Sequence, residues 1–393
     1  MVNTKTENLF TANFFLAWGA NFLMGFAFYL LMPTLPFYLV EKYGADKGVV
    51  GLIMSSYVIA ALLIRPFSGF MVDTFSRKMV YIISFLLFVI LTGGYVVAAS
   101  ITLLFVLRFL HGLTWGVVTT AGNTISIDIM PASRRGEGIG VFGLSLPLSM
   151  SFGPMAGLFL FDHFTFEVIF FVATFIGSVG LLAAFFISVP AKEHHHTSVL
   201  SLDRFFMVKG IPLGINMAII SFTYGILLAF GAMFGKELKV DNTGWFFTLL
   251  AVGMIISRTF SGQMIDRGKL KAVTVLSSIA LFIGFMLLAF ANSSFIYFGS
   301  ALFIGLGYGV LSPAFQTMFV SLGNHHQRGT ANSTFLTAFD FGVGLGMLGA
   351  GKLAELTSLS TTFTISAVIC IFSLIFLVRV TLPYHQKYKL VGN

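Results

Sequence analysis

Long hydrophobic runs, separated by short polar segments, recur along the whole chain. Each run reaches about 20 residues, which is the length that an α-helix needs to cross a hydrocarbon core of about 30 Å. The pattern predicts an all-α membrane protein with twelve transmembrane helices. The predicted spans are 12–39, 47–71, 79–99, 101–127, 136–161, 165–189, 206–235, 243–266, 270–291, 294–322, 329–354 and 360–382.

The composition agrees with this pattern. Hydrophobic residues make up 57% of the 393 residues, charged residues make up 10%, and the mean hydropathy is +0.93. A chain with so little polar surface cannot cover a water-soluble globule of this size. A single cysteine, Cys370, leaves no partner for an intramolecular disulfide. The first apolar run is too long for a cleaved signal peptide and lacks a strong basic flank, so we predict that it is a span.

Lysines and arginines are distributed unevenly between the two sets of loops. With the amino terminus inside, the inner segments carry fifteen of them, the outer loops carry five, and Arg65, Arg108 and Arg258 lie within helices. Cytoplasmic loops carry the excess of positive charge in membrane proteins. The pattern predicts a multi-pass protein of the cytoplasmic (inner) membrane with both termini in the cytoplasm. The net charge of +8 is therefore attributed to membrane orientation and not to binding of nucleic acid.

The two halves of the chain repeat each other at an offset of 193 residues. RPFSGFMVDTFSRK (65–78) is matched by RTFSGQMID (258–266), and HGLTWG (111–116) is matched by IGLGYG (304–309). One offset kept without gaps predicts a duplicated six-helix unit, an architecture found in secondary transporters. The predicted domains are an N-terminal bundle at 1–190, a cytoplasmic linker at 191–210 and a C-terminal bundle at 211–393.

Three segments resemble motifs of the major facilitator superfamily. RPFSGFMVDTFSRK resembles the family's loop between helices two and three, with departures at Thr74 and Ser76. RFLHGLTWG (108–116) resembles the helix-four motif, and SFGPMAG (151–157) resembles the Gly-Pro motif of helix five that marks antiporters. The whole chain resembles the drug and sugar efflux branch of this family.

The resemblance implies two pseudo-symmetric six-helix bundles that move a small organic solute by alternating access. Proton-coupled efflux is the expected activity, with protons and the lipid bilayer as partners, and the family is usually monomeric. Uptake by symport with protons and a non-transporting sensor on the same scaffold stay open. No cofactor or metal is expected, because no phosphate-binding loop, nucleophile triad or metal-ligand spacing occurs. Enzymatic chemistry has no support, and we interpret the histidine runs 194–196 and 325–326 as solvated loop residues.

Charged residues at the inner helix ends predict a cytoplasmic gate. Asp73 and its repeat partner Asp266 are expected beside helix amino termini of the opposite half, where unpaired amides and the helix dipole stabilise an acid. Arg77 and Asp128 are expected to form a charge-assisted link. The remaining gate residues are two predicted close-packing glycines and the two helical arginines, namely Gly69, Gly262, Arg65 and Arg258.

One acid is predicted near the middle of the membrane. Asp340 lies in TAFDFGVGLGMLG (337–349), and burial among apolar neighbours favours the neutral form of a carboxyl group. We therefore expect Asp340 to bind and release a proton or to bind a cationic solute. A buried acid that only bonds to a neighbouring helix is the alternative.

A polar stripe on helix four is predicted to line the solute cavity. Arg108, His111 and Trp115 are three and four residues apart, so they share one helix face. His111 titrates near neutral pH as an unperturbed imidazole, although a neutral histidine bonded within the core is the alternative. An aromatic partner of Trp115 in the repeat and one amide in each of four helices complete the predicted site, namely Tyr308, Asn21, Asn123, Asn216 and Gln316. Aromatic packing and interhelical hydrogen bonds are the alternative roles of this last group.

Overall fold

The computed structural model describes residues 8–131, 134, 138, 141–189, 207–266, 268–323 and 328–390. Within these ranges the chain is helical and contains no strand. The α-helices are α1 Ala12–Leu31, α2 Leu35–Tyr43, α3 Lys47–Thr74, α4 Arg77–Gly94, α5 Ile101–Asp128, α6 Ser145–His163, α7 Phe166–Phe185, α8 Ile211–Glu237, α9 Gly244–Asp266, α10 Leu270–Ala289, α11 Ser294–Ser321, α12 Arg328–Leu356, α13 Leu359–Phe376 and α14 Leu382–Tyr388. A π-helical turn, Leu377–Thr381, joins α13 to α14.

Every predicted span coincides with a helix among the described residues. Ten segments are long and apolar enough to cross a membrane, the first of them being α1 and α2 together. The other two predicted spans correspond to α6, which contains Pro154 and three serines, and to α9, which is apolar over Gly244–Thr259. The fold-class prediction is confirmed, and the protein is a multi-pass membrane protein.

Short polar residues set the helix ends. Ser76, Ser100, Ser293 and Ser358 are N-caps whose hydroxyl oxygens accept a hydrogen bond from the backbone amide three residues later. Ser100 and Ser293 are partners in the 193-residue repeat, so the same cap starts the same helix in each half. The first span breaks at residues 32–34, where Pro33 has no amide proton to continue the ladder.

The chain forms two compact units. The first consists of Met1–Leu31 and Ala60–Val199, and the second of Met32–Ile59 and Leu200–Asn393. Within the first unit, α1 packs on α6 and α7, and α4 packs on α5 and α7. Within the second, α8 packs on α12 and α13, and α10 packs on α11 and α13. The four helix pairs of the second unit correspond to the four pairs of the first unit at the offset of 193 residues.

Glycine contacts repeat at the same positions in the two units. A Cβ atom on Gly116 would lie 3.1 Å from the carbonyl oxygen of Ala61, and one on Gly309 would lie 2.7 Å from that of Met254. Ala61 and Met254 are themselves 193 residues apart. Gly153 and Gly346, another matched pair, contact Tyr29 and Phe222, which are matched as well. Backbones that approach this closely require glycine, so the sequence repeat is also a repeat of helix packing.

Candidate functional site

The predicted stripe on α5 is buried in the first unit. Ser100 caps the start of α5, with its hydroxyl oxygen 3.1 Å from the amide nitrogen of Leu103. Arg108 and His111 are fully buried, and Trp115 is 5% exposed. The helical spacing thus places the three side chains on one inward face, as predicted.

An aromatic cluster surrounds this face. Trp115 stacks on Phe28 of α1, with ring centroids 4.2 Å apart and planes 21° apart. The guanidinium carbon of Arg108 lies 5.2 Å from the centroid of the same Phe28 ring. Cation–π attraction stabilises a buried guanidinium in such a place, by about 2 kcal/mol when the pair is desolvated. Phe28 therefore contacts both Arg108 and Trp115 of α5.

His111 is enclosed by aromatic side chains from other elements. Its Nδ1 atom lies 2.8 Å from the hydroxyl oxygen of Tyr95, which belongs to the short 3₁₀ turn Tyr95–Val97 after α4. Phe88 of α4 contacts the imidazole with a centroid distance of 4.4 Å, and Phe28 contacts it edge-on at 5.6 Å. The Nε2 atom of His111 is buried and makes no hydrogen bond to the described residues.

The second unit carries the repeat partner of Trp115. Tyr308 is 4% exposed, and its hydroxyl lies 2.6 Å from that of Thr223 and donates to the carbonyl oxygen of Ile220 at 3.2 Å. Tyr224 packs edge-on against Tyr308 with centroids 4.7 Å apart. The Tyr224 hydroxyl is buried and has no hydrogen-bond partner in the described part of the chain.

Asp340 lies in the second unit, near the middle of the 29-residue helix α12. Its side chain is half-buried. The adjacent residue, Phe339, contacts Tyr224 with ring centroids 6.0 Å apart. Asp340 therefore directly follows, along α12, a residue that packs against Tyr224.

The four predicted amides have different surroundings. Asn216 is fully buried and donates to Thr381 at 3.0 Å while accepting from Ser373 at 2.6 Å. Asn21 donates to the hydroxyl oxygen of Ser145 at 2.7 Å. These bonds join helices within one unit, which is the structural role weighed as the alternative. Asn123 is half-buried, and Gln316 is exposed.

The predicted ion pair at the inner end of the first unit is present. Nη1 of Arg77, at the start of α4, contacts Oδ2 of Asp128, the last residue of α5. The two side chains are 16% and 24% exposed. The ion pair therefore connects the start of α4 to the end of α5.

The other predicted gate residues are only partly described. Arg258 donates from Nε to the carbonyl oxygen of Gly309 at 3.2 Å, and Arg65 and Gly69 are half-buried. Asp73, Gly262 and Asp266 lie in helices, but their side chains fall outside the described residues. The histidine runs 194–196 and 325–326 and most of the predicted linker also lie outside them. The role of all these residues as a gate stays a prediction.

Reversing the charges of Arg77 and Asp128 is expected to test whether the pair stabilises the bundle. We expect Arg77→Glu and Asp128→Lys each to lower the free energy of unfolding by about 1–2 kcal/mol, since a half-buried charge loses its partner. The melting temperature should fall accordingly. The double variant is expected to recover most of this loss. Melting of the purified protein in detergent measures the effect. Additive losses in the double variant would show that the pair contributes nothing.

A second polar cluster, between the start of α3 and the end of α8, was missed by the sequence reasoning. Nζ of Lys47 lies 2.7 Å from Oε1 of Glu237. Next to this pair α3 crosses α12 at two glycines, and a Cβ on Gly51 would lie 2.8 Å from Cα of Gly351. No local sequence pattern predicts the contact between Gly51 and Gly351, because the two glycines are 300 positions apart in a chain with 41 glycines.

Gly51→Leu is expected to destabilise this crossing. A leucine side chain there would collide with the backbone of α12, and overpacking of this kind costs about 1–3 kcal/mol. Gly19 in α1 is a matched control, since no atom lies within 4 Å of the Cβ that it would gain. We expect thermal melting to show a clear loss for Gly51→Leu and little change for Gly19→Leu. Equal melting temperatures for both variants would contradict the crossing.

Comparisons with known proteins place the chain in a family. The Major Facilitator Superfamily profile matches residues 17–241 and 213–391. The Multidrug resistance protein MdtG of Salmonella typhi is 26% identical over 386 residues, covering 93% of this chain and 94% of the relative. An MFS-type transporter of Methanocaldococcus jannaschii is 22% identical and covers 91% and 95%.

A solved structure agrees with the fold. The nucleoside transporter NupG superposes with a TM-score of 0.74 at 19% identity, covering 96% of this chain and 100% of that one. The relatives and structural neighbours are membrane transporters and not enzymes. From the matched profile, the helix order and the repeated packing, we conclude that this chain belongs to the Major Facilitator Superfamily.

Proposed function

We propose that this transporter exports small amphipathic or sugar-like solutes from the cytoplasm in exchange for protons. The observation that carries the proposal is the relationship, over nearly the whole length of both chains, to a protein named for multidrug resistance. The Gly-Pro segment SFGPMAG, which resembles an antiporter motif, supports the same direction.

The buried face of α5 supports solute binding in the first unit. Arg108 provides a charge, and Phe28 and Trp115 provide ring faces, so apolar and polar parts of an amphipathic solute both find partners. Pockets lined mainly by aromatic side chains with a few polar groups are typical of small-molecule sites. Tyr308 supplies a further ring in the second unit.

Proton coupling is assigned to Asp340. It is a half-buried acid near the middle of a long helix, and ionisable residues within membrane spans are typical of proton pathways. His111, on the buried face of α5, is the second candidate for carrying the proton.

Alternating access is proposed to occur between two six-helix bundles, residues 1–190 and 211–393, joined by the linker 191–210. Acids Asp73 and Asp266 at the inner helix ends, together with the Arg77–Asp128 pair, would stabilise the closed cytoplasmic side. We propose further that both termini face the cytoplasm and that the protein works as a monomer in the bilayer.

Proton flux in everted membrane vesicles tests this function. The lumen of the vesicles is first acidified. Addition of a transported solute should then release protons from the lumen if the protein is an antiporter. Proton movement in the opposite sense would indicate symport and uptake. No flux with any member of a panel of cationic dyes, neutral dyes and sugars would reject transport and favour a sensor.

A further inference from the structure

The buried pair Tyr95–His111 joins the turn after α4 to the middle of α5. The hydroxyl oxygen of Tyr95 lies 2.8 Å from Nδ1 of His111, and both side chains are fully buried. The two side chains form a polar pair among the rings of Phe28 and Phe88.

The direction of the hydrogen bonds follows from the chemistry of the groups. A phenol O–H is more acidic than an imidazole N–H, and an imidazole nitrogen is more basic than a phenol oxygen, so Tyr95 donates its proton to Nδ1 of His111. A neutral imidazole that accepts at Nδ1 carries its proton at Nε2. Nε2 of His111 is therefore an N–H donor.

This donor has no hydrogen-bond partner among the described residues. The rings of Phe28, Phe88 and Tyr95 contact the imidazole, and the two phenylalanine rings contain no strong acceptor. A buried donor left without an acceptor costs about 1–3 kcal/mol, so such groups are rare in folded proteins unless they serve a ligand or water. The ring of Phe88 offers at most a weak contact to the N–H group.

We propose that His111 Nε2–H recognises an uncharged acceptor atom, such as a carbonyl or ether oxygen, on a flat apolar solute. This rests on the proposed function and assigns the solute class that the first unit selects. When Phe28 swings away from Trp115, the exposed indole face of Trp115 binds the apolar face of the solute and the acceptor atom reaches His111. Tyr95 is a positioning residue, since its proton fixes the tautomer of His111.

Two neutral dyes separate this role from general packing. Nile red carries a ring carbonyl, whereas N-phenyl-1-naphthylamine has an apolar aromatic body without a carbonyl. Equilibrium binding of each dye to the purified protein in lipid nanodiscs measures recognition without requiring transport. We expect His111→Leu to weaken Nile red binding by about five- to tenfold, the worth of one hydrogen bond, and to change binding of the other dye less than about twofold.

Conservative variants test the donor itself. His111→Gln keeps an N–H donor and is expected to retain Nile red binding within about threefold, whereas Tyr95→Phe, which releases the tautomer, should give an intermediate loss. His163→Leu, at the exposed end of α6, is the control for loss of an imidazole.

Three results would overturn the assignment. These are no binding of Nile red by the wild type, equal loss of both dyes in His111→Leu, and unchanged binding of both dyes in that variant. The last result would show that the N–H group only faces the ring of Phe88. Melting temperatures of each variant exclude misfolding as a cause. Binding that follows this pattern without dye efflux from cells would reject the proposed export and leave the recognition role standing.

Discussion

Replacement of Asp340 by asparagine is expected to abolish solute-driven proton movement. The amide keeps the size and hydrogen-bonding capacity of the acid but can neither bind nor release a proton. Because Asp340 is a half-buried acid near the middle of α12, the proposed coupling depends on it. Downhill movement of solute is expected to persist, since asparagine matches the size of the acid.

Everted vesicles containing the Asp340→Asn variant provide the measurement. Glu355→Gln is the matched control, as Glu355 lies near the C-terminal end of the same helix, where its carboxylate is 3.2 Å from Lys352. We expect normal proton flux in the control and none in Asp340→Asn. Wild-type flux in the Asp340 variant would remove this residue from the coupling mechanism and leave a buried acid that only bonds to its neighbours.

Replacement of Arg108 by alanine is expected to have the second large effect. The side chain is fully buried and lies over Phe28, so alanine removes both a charge and much of the polar surface of the candidate site. Hydrogen bonds to a charged group contribute about 1.5–3 kcal/mol each, which corresponds to a loss of about 10- to 100-fold in solute affinity.

Arg108→Lys refines this test because lysine keeps the charge and loses the planar fork of donors. We expect its affinity to lie between those of the wild type and Arg108→Ala. Arg379→Ala is the control, since Arg379 is an exposed cation after α13. The measurement is the concentration dependence of solute binding in nanodiscs. Wild-type affinity in Arg108→Ala would place the solute site away from α5.

The spans and the repeat could be predicted from the sequence. A helix in lipid must satisfy its own backbone hydrogen bonds, so a long apolar run has few structures open to it. The offset of 193 residues is visible in the sequence because glycines at helix crossings tolerate no side chain. The structure confirms this at Gly116 and Gly309, which contact matched partners in the two units.

The candidate site was only half predictable. The spacing of Arg108, His111 and Trp115 gave their common face, since helical geometry fixes which residues share it. What surrounds that face was not visible. Phe28 and Phe88 are two of 47 phenylalanines, and Tyr95 reaches His111 only because the turn after α4 brings it back against α5.

Membrane insertion, the twelve spans and the duplicated architecture were thus determined by the sequence alone, because each depends on local hydrophobicity or on a register that survives in the chain. Hydrogen-bond partners were decided only by the tertiary structure. The side-chain amide of Asn216 forms hydrogen bonds with Thr381 and Ser373, whereas Nε2 of His111 has no hydrogen bond among the described residues. Both are polar residues in apolar helices, and the difference lies in which side chains the packing of neighbouring helices brings within about 3 Å.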